Sequence, residues 1–167
     1  TVSDRQVQDV LRQLGRLGRE PRGFLGPIGL QLIGSTRERA QRGVAPDGTP
    51  WAPLNPDYAA TKRGGHMLRE AGNLLGSLTR EVDGRTLSVG TNRIYAAIHQ
   101  FGGEIVPRRG KRLAFRMGGA TVFARRVRIP ARPWLGISRD DVQMIEEEVA
   151  EFVARATRRP CPPRLRG

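Results

Sequence analysis

The chain is poor in the residues that carry most enzyme chemistry. It has one cysteine, Cys161, two histidines, and 5% aromatic residues in a length of 167. One cysteine excludes an intrachain disulfide, and its place in a Pro-rich tail marks it as a spectator thiol, in keeping with a reducing compartment. His66 lies in a Gly-rich loop, and two histidines with one cysteine are a poor basis for a zinc cage. Neither Gly64-Gly65 nor Gly118-Gly119 is followed by the Lys-Ser/Thr of a phosphate-binding loop. No apolar run approaches the roughly 18 residues of a membrane span, and no signal-peptide pattern opens the chain. The sequence therefore predicts a soluble, intracellular protein with no membrane contact, no metal and no cofactor. No internal repeat is visible.

Acid is missing where base is dense. The net charge is +13, yet residues 105–139 hold ten Arg or Lys and no Asp or Glu, and residues 158–167 hold four Arg and no acid. The rest of the chain is close to neutral. Only Lys62 and Lys111 are lysines. Arginine makes planar, two-pronged contacts with carboxylates and phosphates, although a G- and C-rich genome also favours its codons. Such clusters suit a polyanionic partner, either DNA or an acidic protein surface.

Periodicity gives the elements. Val7, Val10, Leu11, Leu14 and Leu17 keep helical spacing behind a Ser3/Gln6 capping box, and Pro21 and Gly23 break that helix. A second helix is expected from about Leu25 to Arg42, with Leu25, Ile28, Leu32, Ile33, Thr36 and Ala40 inward and Arg37, Glu38, Arg39 and Arg42 mostly outward. Four prolines at 46, 50, 53 and 56 make residues 44–66 an irregular connector. Trp51 and Leu54 should pin it to the core, with mobility at Thr61 to Gly65. A short helix over 68–78 precedes strands at 79–83 and 86–90, joined at the hairpin dipeptide Asp83-Gly84. A helix at 93–101 stops at Gly102-Gly103, and a strand follows at 104–107. Leu113, Phe115 and Met117, then Phe123, Val127 and Ile129, mark a long hairpin turning at Gly118-Gly119, with one apolar and one Arg-rich face. The last helix starts at Ser138, with Asp141 completing a capping box and Val142, Ile145, Val149, Phe152, Val153 and Ala156 as its buried stripe. The class is α+β: a small, mostly antiparallel sheet with a long β-hairpin, packed by N- and C-terminal helices. One domain should occupy residues 1–157, and residues 158–167 form a basic, Pro-rich tail that is disordered without a partner.

Two blocks say most about function. Ile94-Tyr95-Ala96-Ala97-Ile98-His99-Gln100-Phe101-Gly102-Gly103 packs apolar residues into a short helix that ends at paired glycines. Ile129-Pro130-Ala131-Arg132-Pro133-Trp134-Leu135-Gly136 delivers a Trp and a Leu to the start of a helix. Neither holds a nucleophile with its base, and both read as architecture, with Trp51, Tyr95, Phe101 and Trp134 as structural anchors. Together they resemble the virion morphogenesis (tail completion and neck) proteins of Mu-like tailed phages. Pro46-Asp47-Gly48 with Trp51, Pro53 and Leu54, then Leu68 to Leu78, then Val89-Gly90-Thr91-Asn92, resemble further segments of that family in the same order. The resemblance covers about residues 45–136. It implies a structural protein of the head–tail joint working as a ring of its own copies, expected to be hexameric, with neighbouring connector and tail proteins as partners. The ring would sit in the virion after assembly in host cytoplasm. It implies no enzymatic activity and no cofactor.

The residues themselves leave alternatives. His99 has no serine or cysteine at motif spacing and reads as a helix histidine at a core edge or subunit contact. Glu146-Glu147-Glu148 points around a helix and reads as a solvated face. Pro130 to Pro133 sets the path from hairpin to helix, in preference to docking as an extended ligand. Arg108, Arg109, Lys111 and Arg112, with Arg125, Arg126, Arg128, Arg158 and Arg159, are the candidate partner or subunit interface. Protein contact, non-specific contact with duplex DNA in the channel, and plain solvation all fit this run, which carries no base-reading code. The rival class is a sequence-independent DNA-binding protein. A nuclease lacks its acidic or histidine constellation.

Overall fold

A computed structural model describes residues 21–62, 67–68 and 73–158. The helix expected over Ser3 to Leu17, residues 63–66 of the connector, and the tail from Arg159 lie outside them.

Helix α1 spans Arg22–Arg42. It begins before Leu25 because Pro21, with φ −70°, already holds a helical turn at the N-cap. Its buried residues are Ile28, Gly29, Ile33, Thr36, Arg39 and Ala40. Arg39 is thus a correction to the outward reading. The stripe continues three residues on from Thr36, and the guanidinium follows it inward.

The connector is more ordered than its prolines suggest. Val44 bridges to Pro50, the Ala45 N–H donates to the Thr49 carbonyl at 2.8 Å, and the Trp51 N–H donates to the Gly43 carbonyl at 2.8 Å. Pro56 opens helix α2 (Pro56–Thr61), where a missing N–H costs nothing, and the Asn55 side chain caps it through the Asp57 and Tyr58 N–H groups. Of the helix expected over 68–78, α3 (Asn73–Gly76) is described.

Strands β1 (Thr79–Asp83) and β2 (Thr86–Gly90) form an antiparallel hairpin at the expected bounds, with Asp83 paired to Thr86. Helix α4 (Ala96–Phe101) leads into β3 (Gly103–Ile105). Strands β4 (Leu113–Met117) and β5 (Ala120–Ala124) pair around the Gly118-Gly119 turn, and β6 (Val127–Ile129) pairs with β3. Among the described residues the strands make three separate two-stranded antiparallel ladders. The fold is α+β.

The apolar face of the long hairpin needs one correction. Leu113 pairs with Ala124 and Phe115 with Val122, so these residues share a half-buried face. Phe123 lies on the opposite face beside Ala114 and is 61% exposed. The bend at Arg125-Arg126 inserts a residue that shifts the alternation, which brings Val127 and Ile129 back inward.

Helix α5 (Arg139–Arg158) packs on α1, with the Phe24 and Phe152 rings 5.2 Å apart. Its capping box forms as the sequence predicts: the Ser138 N–H donates to the Asp141 carboxylate at 2.8 Å, and the Asp141 N–H donates to the Ser138 hydroxyl at 3.2 Å. Ile145, Val149, Phe152 and Val153 are half-buried, whereas Val142 is 47% exposed. The core gathers Ile33, Ala40, Ala45, Trp51, Leu74, Leu75, Leu78, Ala96 and Trp134.

Candidate assembly interface

The two informative sequence blocks close on one another. The Gln100 amide lies on the same face of α4 as buried Ala96, one helical turn on. Its carbonyl oxygen accepts from the Trp134 and Leu135 N–H groups at 2.9 and 3.0 Å, and its Nε2 donates to the Leu135 carbonyl at 3.0 Å. The side chain thus acts as a short strand that clamps the extended segment. The Arg132 N–H donates to the His99 carbonyl at 2.8 Å. Gly102, with φ 70° and ψ −176°, sits in a region that side chains other than glycine scarcely enter, and a Cβ there would lie 2.7 Å from the Ala131 nitrogen.

The same segment gathers the connector and the terminal helix. Trp51 Nε1 donates to the Pro133 carbonyl at 2.8 Å, and the Arg132 guanidinium donates to the Ala52 and Pro53 carbonyls, both at 3.0 Å. Gly136 lies against Pro46, and its carbonyl accepts from Arg39 Nη2 at 2.8 Å. Arg39 Nη1 pairs with Asp141 at 2.6 Å and also contacts the Ser35 hydroxyl, so α1, the extended segment and α5 meet at one buried ion pair. Burial pushes the Asp141 carboxyl up. Hydrogen bonds from Ser35 and Ser138, with the charge of Arg39, outweigh it and hold the group below its ordinary pKa.

Half-buried His99 is held below its ordinary pKa by burial and then by the charge of Arg132. Its Nδ1 has no hydrogen-bond partner among the described residues, and its ring meets Tyr95 edge-on at 6.3 Å. No group of three or more metal-ligating side chains occurs among the described residues. None of the described helices is long and apolar enough to cross a membrane.

The four expected anchors divide. Trp51 and Trp134 are 6% and 1% exposed. Tyr95 and Phe101 are 43% and 77% exposed and do not anchor this domain. The inner face of α4 is taken by Ala96 and Gln100, which turns Phe101 outward with Ala97. Ile94, Ile105 and Val106 are exposed as well.

Arg108, Arg109, Lys111, Arg112, Arg125, Arg126 and Arg128 are all exposed. Residues 106–112 on one side and the bend at 125–126 on the other separate the β3–β6 ladder from β4–β5 and carry six of these seven charges. Arg126 lies 3.7 Å from Glu104 at the surface; the other six have no ion pair among the described residues. Arg132, from the same basic stretch, is instead buried in the clasp. Arg158 ends α5 with an undescribed side chain, and Arg159 lies outside the described residues.

Sequence reasoning gave Gln100, Arg39 and Arg132 no role. For Gln100 a signal existed: a polar residue at the inner position of a helix turn. For Arg39 it was the spacing from Thr36.

Known proteins give this architecture a context. The chain is 28% identical over 163 residues to the putative capsid assembly protein G of Escherichia phage Mu, covering 94% of each chain. It is 30% identical over 147 residues to the Mu-like prophage FluMu G protein 2 of Haemophilus influenzae, covering 87% of this chain and 90% of that one. It is 28% identical over 157 residues to the tail completion protein S of Escherichia phage P2, covering 90% and 94%. No solved structure matches it. The model of the phage virion morphogenesis family matches residues 2–154, so the segments that build the clasp all fall within the match, and the chain belongs to that family.

Proposed function

We propose that this protein is a non-enzymatic component of the phage head–tail joint, a tail completion or neck protein that works as a ring of identical copies between the tail and the head connector. The observation that carries the reading is the family match over residues 2–154, with a tail completion protein and a capsid assembly protein among the relatives. The geometry supports it. Buried polar groups in the clasp serve the fold, while the arginines of the hairpin have charge left over for a neighbour. Neighbouring connector and tail proteins are the partners, and the virion is the final location.

Electron microscopy of particles carrying a tagged copy tests the reading. The label is expected at the junction of head and tail, and deleting the gene is expected to leave separate heads and tails. Label on the capsid shell, or joined particles after the deletion, overturns it. Unpaired arginines also favour a second reading, contact with duplex DNA without sequence preference. That reading requires binding by the free protein that weakens steeply with salt.

A further inference from the structure

The described residues contain two surfaces of opposite charge, and most of the charge on each has no ion pair among the described residues. One is the hairpin region already described. The other is the outer face of α5, where Val142, Gln143, Glu146, Glu147, Ala150 and Glu151 are all exposed. Residues 140–151 hold six acids and no base. Asp141 is consumed by Arg39, and Glu148 lies inward, near Gln31 of α1. Asp140, Glu146 and Glu147 have no ion pair among the described residues, and Glu151 pairs with Arg155 at 3.0 Å on its own helix. No ion pair joins α5 to the hairpin among the described residues. The two surfaces have different neighbours: β4 packs on α2, whereas α5 packs on α1.

Each charged surface also carries an apolar residue that its sequence pattern assigns to the core and the fold leaves outside. Phe123 is 61% exposed on the basic hairpin, and Val142 is 47% exposed on the acidic helix. An apolar residue among charges, with arginines and an aromatic on one side, is the composition of a protein–protein contact.

We propose that the occupant of each surface is the other surface on a second copy: the basic hairpin of one protomer docks on the acidic outer face of α5 in the next. Such a contact joins different patches, so it is heterologous and propagates until it closes. This rests on the ring reading above and supplies its interface.

Charge reversal tests it. One full-length variant carries Arg108→Glu, Arg109→Glu and Arg125→Glu; the other carries Glu146→Arg, Glu147→Arg and Glu151→Arg. Alone, each sets like charge against like and should self-associate at least ~10-fold more weakly than the unaltered chain in sedimentation at low salt. Mixed in equal amounts, they should associate again, because every neighbouring pair is then complementary. Phe123→Ser and Val142→Ser, each with an unchanged melting temperature, should weaken association without rescue on mixing. Several results overturn the interface: an unaltered chain that stays monomeric at millimolar concentration, reversals that associate normally, a mixture that is not restored, or loss of DNA binding with association intact. Complementation separates this from the broader reading. Reversals that spare association but abolish head–tail joining sink the interface and leave the joint standing. Restored association with normal joining in the gene's absence does the opposite.

Discussion

The clasp and the hairpin differ in where their polar groups go. In the clasp, Arg39, Arg132 and Gln100 are committed to carboxylate and carbonyl partners within the chain. In and beside the hairpin, six of the seven cations expected to form an interface have no ion pair among the described residues. Buried polar groups must be satisfied or they destabilise the fold, whereas exposed like charges add little to stability and remain available to a partner. The contrast separates what holds this protein together from what it offers to others.

Substitutions should respect that division. Trp134→Ala removes the most buried large side chain and should destabilise by about 3–5 kcal/mol in chemical denaturation. An unchanged midpoint would place the centre of the core elsewhere. Arg39→Ala leaves Asp141 buried without its countercharge, with a cost of similar order, about 3–5 kcal/mol. Asp141 has a lowered folded pKa, so its contribution is present above the unfolded value of about 3.9 and lost as pH falls further. The Arg39→Ala variant should therefore lose less stability on acidification below about pH 4 than the unaltered chain.

Gln100→Ala removes the acceptor for two backbone N–H groups and should cost about 2 kcal/mol or more. A neutral result would mean that water replaces the amide and that the clasp is looser than its geometry. The effect at His99 is smaller. Its folded pKa is also depressed, so stability present above about pH 6.5 declines as pH falls toward the folded value. His99→Gln should flatten the melting temperature between about pH 7 and pH 5. A slope that persists would assign this titration to another group.

The smallest effect on stability belongs to the hairpin. Changing Arg108, Arg109, Lys111 and Arg112 together to Gln should move stability by no more than about 0.5 kcal/mol. The folded variant should still give virions with separate heads and tails. Unfolding of this variant, or full complementation, would erase the distinction between the two regions.

Much of the fold was legible where its cause is local. The Ser138/Asp141 capping box needs only residues three apart, and the β1–β2 hairpin is marked by its turn dipeptide Asp83-Gly84. Gly102-Gly103 ends α4 because the backbone there needs conformations that glycine alone supplies easily. The site was less legible. Arg39 reads as one of several surface charges until Asp141, far along the chain, arrives beside it. Phe123 reads as core until the bend at Arg125-Arg126 shifts the alternation between β5 and β6. Phe101 reads as an anchor because it is aromatic, but Ala96 and Gln100 take the inner face of α4, and Tyr95 stands at its N-cap.

Apart from helix α2 and its Asn55 cap inside the connector, the sequence by itself determined the order of the described elements, the Ser138/Asp141 cap and the hairpin turns, the concentration of positive charge in one segment, and the resemblance carried by the ordered motifs. These depend on spacing along the chain, and spacing is visible there. The tertiary structure alone decided which arginines are buried and which are free, that one glutamine locks the Pro-Ala-Arg-Pro-Trp segment, and that two apolar residues remain outside on oppositely charged faces. Those outcomes depend on which distant groups meet, and burial turns such a meeting into a requirement for a partner.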